Sequence, residues 1–106
     1  MSTQCMIAIE QGYGSIRSVS RSKDGGLVYT GGRLHNLYDT EGKALTLFED
    51  LEDVESYPGL VDFLEAAFES YATFAYVWTL AGEWMVYEGP DFDIDEGYEL
   101  AKAFKK

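Results

Sequence analysis

Cysteine occurs once, at Cys5, which excludes a disulfide framework and every metal site built on several thiolates, and fits a reducing compartment. Histidine also occurs once, at His35, so any Ser-His-Asp or Cys-His site would have to use it. Nothing around either residue resembles a nucleophile elbow or another local signature of covalent catalysis. No window approaches the roughly 18 apolar residues of a membrane span. The N-terminus shows no charged segment followed by an apolar one, so no secretion leader is expected. The most informative shortage is of cations. Lys and Arg number 8 against 19 Asp and Glu, for a net charge of −11. Direct binding to DNA or RNA is thereby disfavoured, because phosphate contacts would add repulsion instead of releasing counterions. A basic partner fits better.

What is present is one domain's worth of chain, 106 residues with 46% hydrophobic and 15% aromatic content. That composition rules out a disordered acidic tail. The pattern reads as α+β: an antiparallel sheet of about four strands, from an N-terminal and a C-terminal hairpin, with helices packed on one face. The apolar run Cys5–Glu10 is too short for a helix and suits a buried strand. Gln11–Gly14 is a turn, and Ser15–Arg21 alternates as a half-buried strand. After a second turn at Lys23–Gly26, Leu27–Tyr29 is expected as a short third strand.

Leu34, Leu37 and Tyr38 then mark a short helix over Gly32–Tyr38, and Leu45, Phe48 and Leu51 another helical stretch. A longer helix is expected from Pro58, with Leu60, Phe63, Leu64, Ala67, Phe68 and Tyr71 as its apolar stripe. Ala72–Leu80 and Glu83–Glu88 flank Ala81-Gly82 as the best hairpin in the chain. There Phe74, Tyr76, Trp78 and Leu80 share one face, and Trp84 and Val86 oppose Met85 and Tyr87. A C-terminal helix over about Glu96–Phe104 closes the chain.

Charge is distributed unevenly along the sequence. From Ala44 to Ala101 there is no Lys or Arg, while 15 of the 19 acidic residues fall there. Ordinary solvated domains intersperse both signs. One function that offsets the self-repulsion is imitation of the phosphate field of a nucleic acid, directed at a protein that binds DNA or RNA. The densest stretch is Glu49, Asp50, Glu52, Asp53 and Glu55, expected on a helix or tight loop with Leu51 and Val54 anchoring one side. Asp62, Glu65 and Glu69 extend it along the next helix. Together these eight residues form the candidate partner-binding site.

Other motifs carry less. Asp91-Phe92-Asp93-Ile94-Asp95-Glu96-Gly97 begins like a calcium loop, but Glu96 stands where Gly is needed and Lys102 where the bidentate Glu should be. It reads as a solvated acidic loop, and no metal site is assigned. The glycine pairs match neither phosphate-loop spacing and read as turns. Trp78, Trp84 and Tyr87 offer an alternative, an aromatic pocket serving a small ligand-binding module or enzyme.

Met6-Ile7-Ala8-Ile9-Glu10, a Gly-containing turn and Ser15-Ile16-Arg17-Ser18-Val19 resemble the opening of a family of small uncharacterised phage and prophage proteins. Asp24-Gly25, Gly32, Leu34, Tyr38, Lys43 and Leu47 follow in that family's order. Tyr76-Val77-Trp78 and Gly82-Glu83-Trp84-Met85-Val86-Tyr87 are similar to its closing aromatic hairpin. The resemblance spans roughly residues 6–88. The chain departs from the family's His-Trp before the Asp-Gly turn, where it has Ser22-Lys23, and from the Pro after it, where it has Leu27. The resemblance implies a phage or mobile-element origin, and such accessory proteins frequently block host enzymes or defence systems. The expectation is therefore a non-enzymatic inhibitor acting in the host cytoplasm, as a monomer or homodimer and without cofactor. Its target would be the basic surface of a CRISPR effector, restriction enzyme or polymerase.

Overall fold

The computed structural model describes residues 4–11, 15–21, 26–48 and 54–103. The fold is α+β, and its sheet is mixed and six-stranded. Strands β1 (Cys5–Gln11) and β2 (Ser15–Arg21) form the expected N-terminal hairpin. Strands β4 (Phe74–Trp78) and β5 (Trp84–Glu88) form the expected aromatic one, with Trp78 opposite Trp84. Two short strands complete the sheet, β3 (Glu55–Tyr57) beside β2 and β6 (Tyr98–Glu99) beside β5, in the order β3-β2-β1-β4-β5-β6.

The expected all-antiparallel sheet of about four strands is corrected at its centre. β1 and β4 run parallel, with Cys5 opposite Phe74 and Ile9 opposite Trp78. The cause lies in β1: Cys5 through Ile9 are all buried, so the strand needs a neighbour on each side and a covered surface on both faces. The expectation of helices on one face is corrected for the same reason. On one face Cys5, Ile7, Ile9, Tyr76, Trp78, Trp84 and Val86 pack under α1 (Gly32–Leu37), α2 (Glu41–Thr46) and α4 (Leu100–Ala103). On the other, Met6, Ala8, Ile16, Ala75, Val77 and Tyr87 pack under α3 (Leu60–Glu69).

Local chemistry explains the remaining differences. Leu27–Tyr29 is not a strand; Leu27–Gly31 is a π-helical turn in which the Gly26 carbonyl accepts from Thr30 N at 3.0 Å and Gly31 N at 3.4 Å. That turn seats Gly31 beside Leu27, Leu100 and Tyr76, where a Cβ would press on the two leucine side chains at 3.2 and 3.3 Å. Helix α3 begins at Leu60, after the extended Gly59, so Pro58 precedes it. The expected C-terminal helix is broken into a 3-10 turn at Ile94–Glu96, strand β6 and the single turn of α4. Gly97 permits the break, because a Cβ there would run into the Tyr87 ring. Leu80 is exposed in the β4–β5 turn instead of sharing the Trp78 face.

Candidate functional site: an acidic face and two grooves

Helix α3 crosses one face of the sheet and touches β3 at one end of its path and the 3-10 turn at the other. Those three elements carry the acids. Asp62, Glu65 and Glu69 lie at i, i+3 and i+7 of α3, all exposed, as a single stripe opposite the buried Phe63, Leu64 and Ala67. Glu55 on β3 shares this side of the sheet with Tyr57, whose hydroxyl donates to its carboxylate at 2.6 Å. Asp91, Asp93, Asp95 and Glu96 on the following loop are exposed as well. Asp93 also accepts from the Asp95 backbone N–H at 2.9 Å, which holds the loop's turn.

No Lys or Arg occurs on α3, on β3 or in the 91–96 loop. Arg17 alternates with Ile16 along β2 and so faces the opposite side. Arg33, Lys43 and Lys102 belong to α1, α2 and α4, also on the opposite side. The ion pairs Lys43–Asp39 at 3.2 Å and Lys102–Glu99 at 2.9 Å lie there too. Like charges at i, i+3 and i, i+4 on α3 each oppose the helix by about 0.2–0.5 kcal/mol, with no local cation to offset them.

Of the eight residues expected to bind a partner, Glu55, Asp62, Glu65 and Glu69 fall on this one face. Glu55 is on a strand, not on the helix or tight loop expected for it. Glu49, Asp50, Glu52 and Asp53 lie outside the described residues. The loop acids Asp91, Asp93, Asp95 and Glu96 join the same face, a proximity that sequence spacing does not reveal.

The aromatic alternative is divided by the sheet. Trp78 and Trp84 meet edge to face, centroids 5.4 Å apart and planes at 70°, among the residues under α1, α2 and α4. Tyr87 belongs to the opposite core, with Phe63 and Phe92. The two tryptophans border a groove of about 400 Å³ that His35, Asp39, Glu83 and Glu99 also line. Glu83 and Glu99 hydrogen-bond through their carboxyls, which raises the Glu83 pKa. His35 is half-buried on α1, and Cys5 is buried within β1. Among the described residues no three His, Cys, Asp or Glu side chains converge well enough to hold a metal ion.

A second groove, of about 340 Å³, opens at the C-terminal end of α3 beside the acidic stripe. Phe68 and Tyr71 wall it, with Thr73, Gly89 and Pro90, above a floor of Phe92 and Ala72. The apolar stripe expected on α3 included Phe68 and Tyr71, but both are exposed; Tyr71 lies beyond the helix, which ends at Glu69. No helix among the described residues is long and apolar enough to cross a membrane. No protein-family model, curated protein or solved structure matches the chain.

Proposed function

We propose that the protein is a non-enzymatic inhibitor that uses its α3 face as an imitation of nucleic acid, occupying the basic surface of a DNA- or RNA-binding protein. The observation that carries this reading is that, among the described residues, the α3 face of the sheet holds acids and no cation. Glu55, Asp62, Glu65, Glu69 and the 91–96 acids share one face, and the described cations sit on the other. Such a field steers a basic surface toward one side of the molecule and favours its docking orientation. A solubility device has no need to keep cations off one face.

The resemblance to phage proteins supports a phage origin and a host target in the cytoplasm, such as a CRISPR effector, restriction enzyme or polymerase. Burial of Cys5 in β1 and the division of Trp78 and Trp84 from Tyr87 weigh against the nucleophile and aromatic-pocket readings.

The test captures partners of the full chain from bacterial lysate, with and without competing duplex DNA. A parallel capture uses Asp62→Lys/Glu65→Lys/Glu69→Lys. The expected result is a nucleic-acid-binding protein that DNA displaces, that rising salt releases, and that the triple variant does not retain. Recovery of chaperones alone, or equal recovery by the triple variant, overturns the proposal.

A further inference from the structure

We propose that the groove at the end of α3 seats an arginine side chain of the basic protein partner; this rests on the binding role above and names what its acidic face grips. Helix α3 closes in a Schellman arrangement. Ala72 N–H donates to the Ala67 carbonyl at 3.2 Å and Tyr71 N–H to the Phe68 carbonyl at 3.2 Å. The motif places one residue in the left-handed region, where Gly is the usual occupant. Here that residue is Tyr71, at φ 58°. A Cβ in that conformation is disfavoured, and the ring makes little use of the fold in return, being 89% exposed. Phe68, one turn earlier, is 56% exposed. Folding alone does not account for two large rings held in water at a helix end.

Among the described residues the other non-glycine at positive φ is Phe92, at 48°, and its ring floors the same groove. Sparsely populated backbone conformations concentrate at ligand sites, where the surrounding structure holds them. Both here deliver aromatic rings to one place. Gly89 lets the floor close, since a Cβ there would come within 2.7 Å of the Ala72 carbonyl and 2.9 Å of the Phe92 ring.

The occupant follows from the chemistry of walls and rim. Phe68, Tyr71 and Pro90 offer apolar faces, and the exposed carboxylates Glu69 and Asp91 adjoin them along the chain. A guanidinium is planar and weakly hydrated, so it stacks on a ring while its edge N–H groups reach carboxylates. An ammonium is compact and strongly hydrated, and gains little from such walls. The stripe of α3 attracts either cation; the groove distinguishes them.

The test titrates labelled oligo-arginine and oligo-lysine peptides of equal length into the full chain, read by anisotropy and by amide shifts in NMR. Oligo-arginine should bind about 3-fold tighter or better, with the largest shifts at Tyr71, Thr73 and Gly89. Tyr71→Asn removes the ring while keeping a residue that tolerates left-handed backbone. It should bring oligo-arginine down to the oligo-lysine level and leave oligo-lysine binding unchanged. Equal affinities for the wild-type chain, or an arginine preference that survives Tyr71→Asn, overturn the groove assignment while the acidic face stands. Binding of neither peptide to the wild-type chain overturns both.

Discussion

The indole N–H of Trp84 donates to the backbone carbonyl of Tyr38 at 2.7 Å, joining β5 to the end of α1 across 46 positions of sequence. This bond satisfies an indole that is otherwise enclosed, and it fixes the short helices over the sheet. Trp84→Phe keeps an aromatic ring but leaves the carbonyl without its donor, at a cost of about 1–3 kcal/mol. Urea unfolding should show that loss as a lower midpoint with an unchanged slope. An unchanged midpoint would show that the bond contributes nothing to holding α1.

Tyr71 at the end of α3 predicts the opposite sign. Tyr71→Gly relieves the left-handed strain and removes a ring that barely packs, so it should stabilise the fold by about 1 kcal/mol. For a chain of this size that is a rise of roughly 4–8 °C in Tm. A fall in Tm would mean that the ring supports the helix end.

Gly89→Ala should be the most damaging of the small substitutions. Its methyl would meet the Ala72 carbonyl and the Phe92 ring together, and one of these contacts is backbone. Overpacking of this kind costs about 1–3 kcal/mol. Calorimetry should record a lower Tm.

Acid and alkaline stability follow from groups that prefer to be neutral. Burial raises the Glu10 carboxyl pKa, so its favourable contribution is complete below the ordinary carboxylate range and is lost as pH rises through the raised value. Glu10→Gln should therefore raise Tm at pH 7, and the difference should vanish in acid.

At the alkaline end, burial first and the Glu55 hydrogen bond second push the Tyr57 phenol up to about 12. Burial also raises Tyr76, Tyr87 and Tyr98, the last helped by its hydrogen bond to Glu88. Stability from these phenols is complete below about pH 10 and is lost as pH climbs through their raised values. Thermal melts should decline steeply across that window. A flat profile to pH 12 would contradict the burial of these rings.

The two hairpins were legible because alternation and turn residues are local signals, and β1, β2, β4 and β5 are formed from them. The parallel seam between β1 and β4 is a choice of partner across 69 positions, and no local pattern encodes it. The unbroken burial of Cys5 through Ile9 held the hint, since an unalternating apolar strand needs cover on both faces. β3 and β6 are too short to leave a period, and Gly97 interrupts a helical spacing that the C-terminal residues otherwise satisfy. Among the acids, the α3 stripe was readable from its spacing, whereas the arrival of the 91–96 loop beside it depends on the tertiary fold. The groove escaped because Phe68 and Tyr71 sit at helical intervals with the core residues. Only the absence of Gly after Glu69 signalled that Tyr71 would occupy an unusual backbone position.

The sheet ends on β3 and β6, of three and two residues. Long bare margins recruit strands from other chains and lead to aggregation, and stubs of this length leave few main-chain groups to recruit with. The apolar run Cys5–Ile9 of β1 is meanwhile walled in by β2 and β4, out of reach of a neighbour's backbone. A homodimer made through side chains on the broad faces would compete with whatever those faces bind.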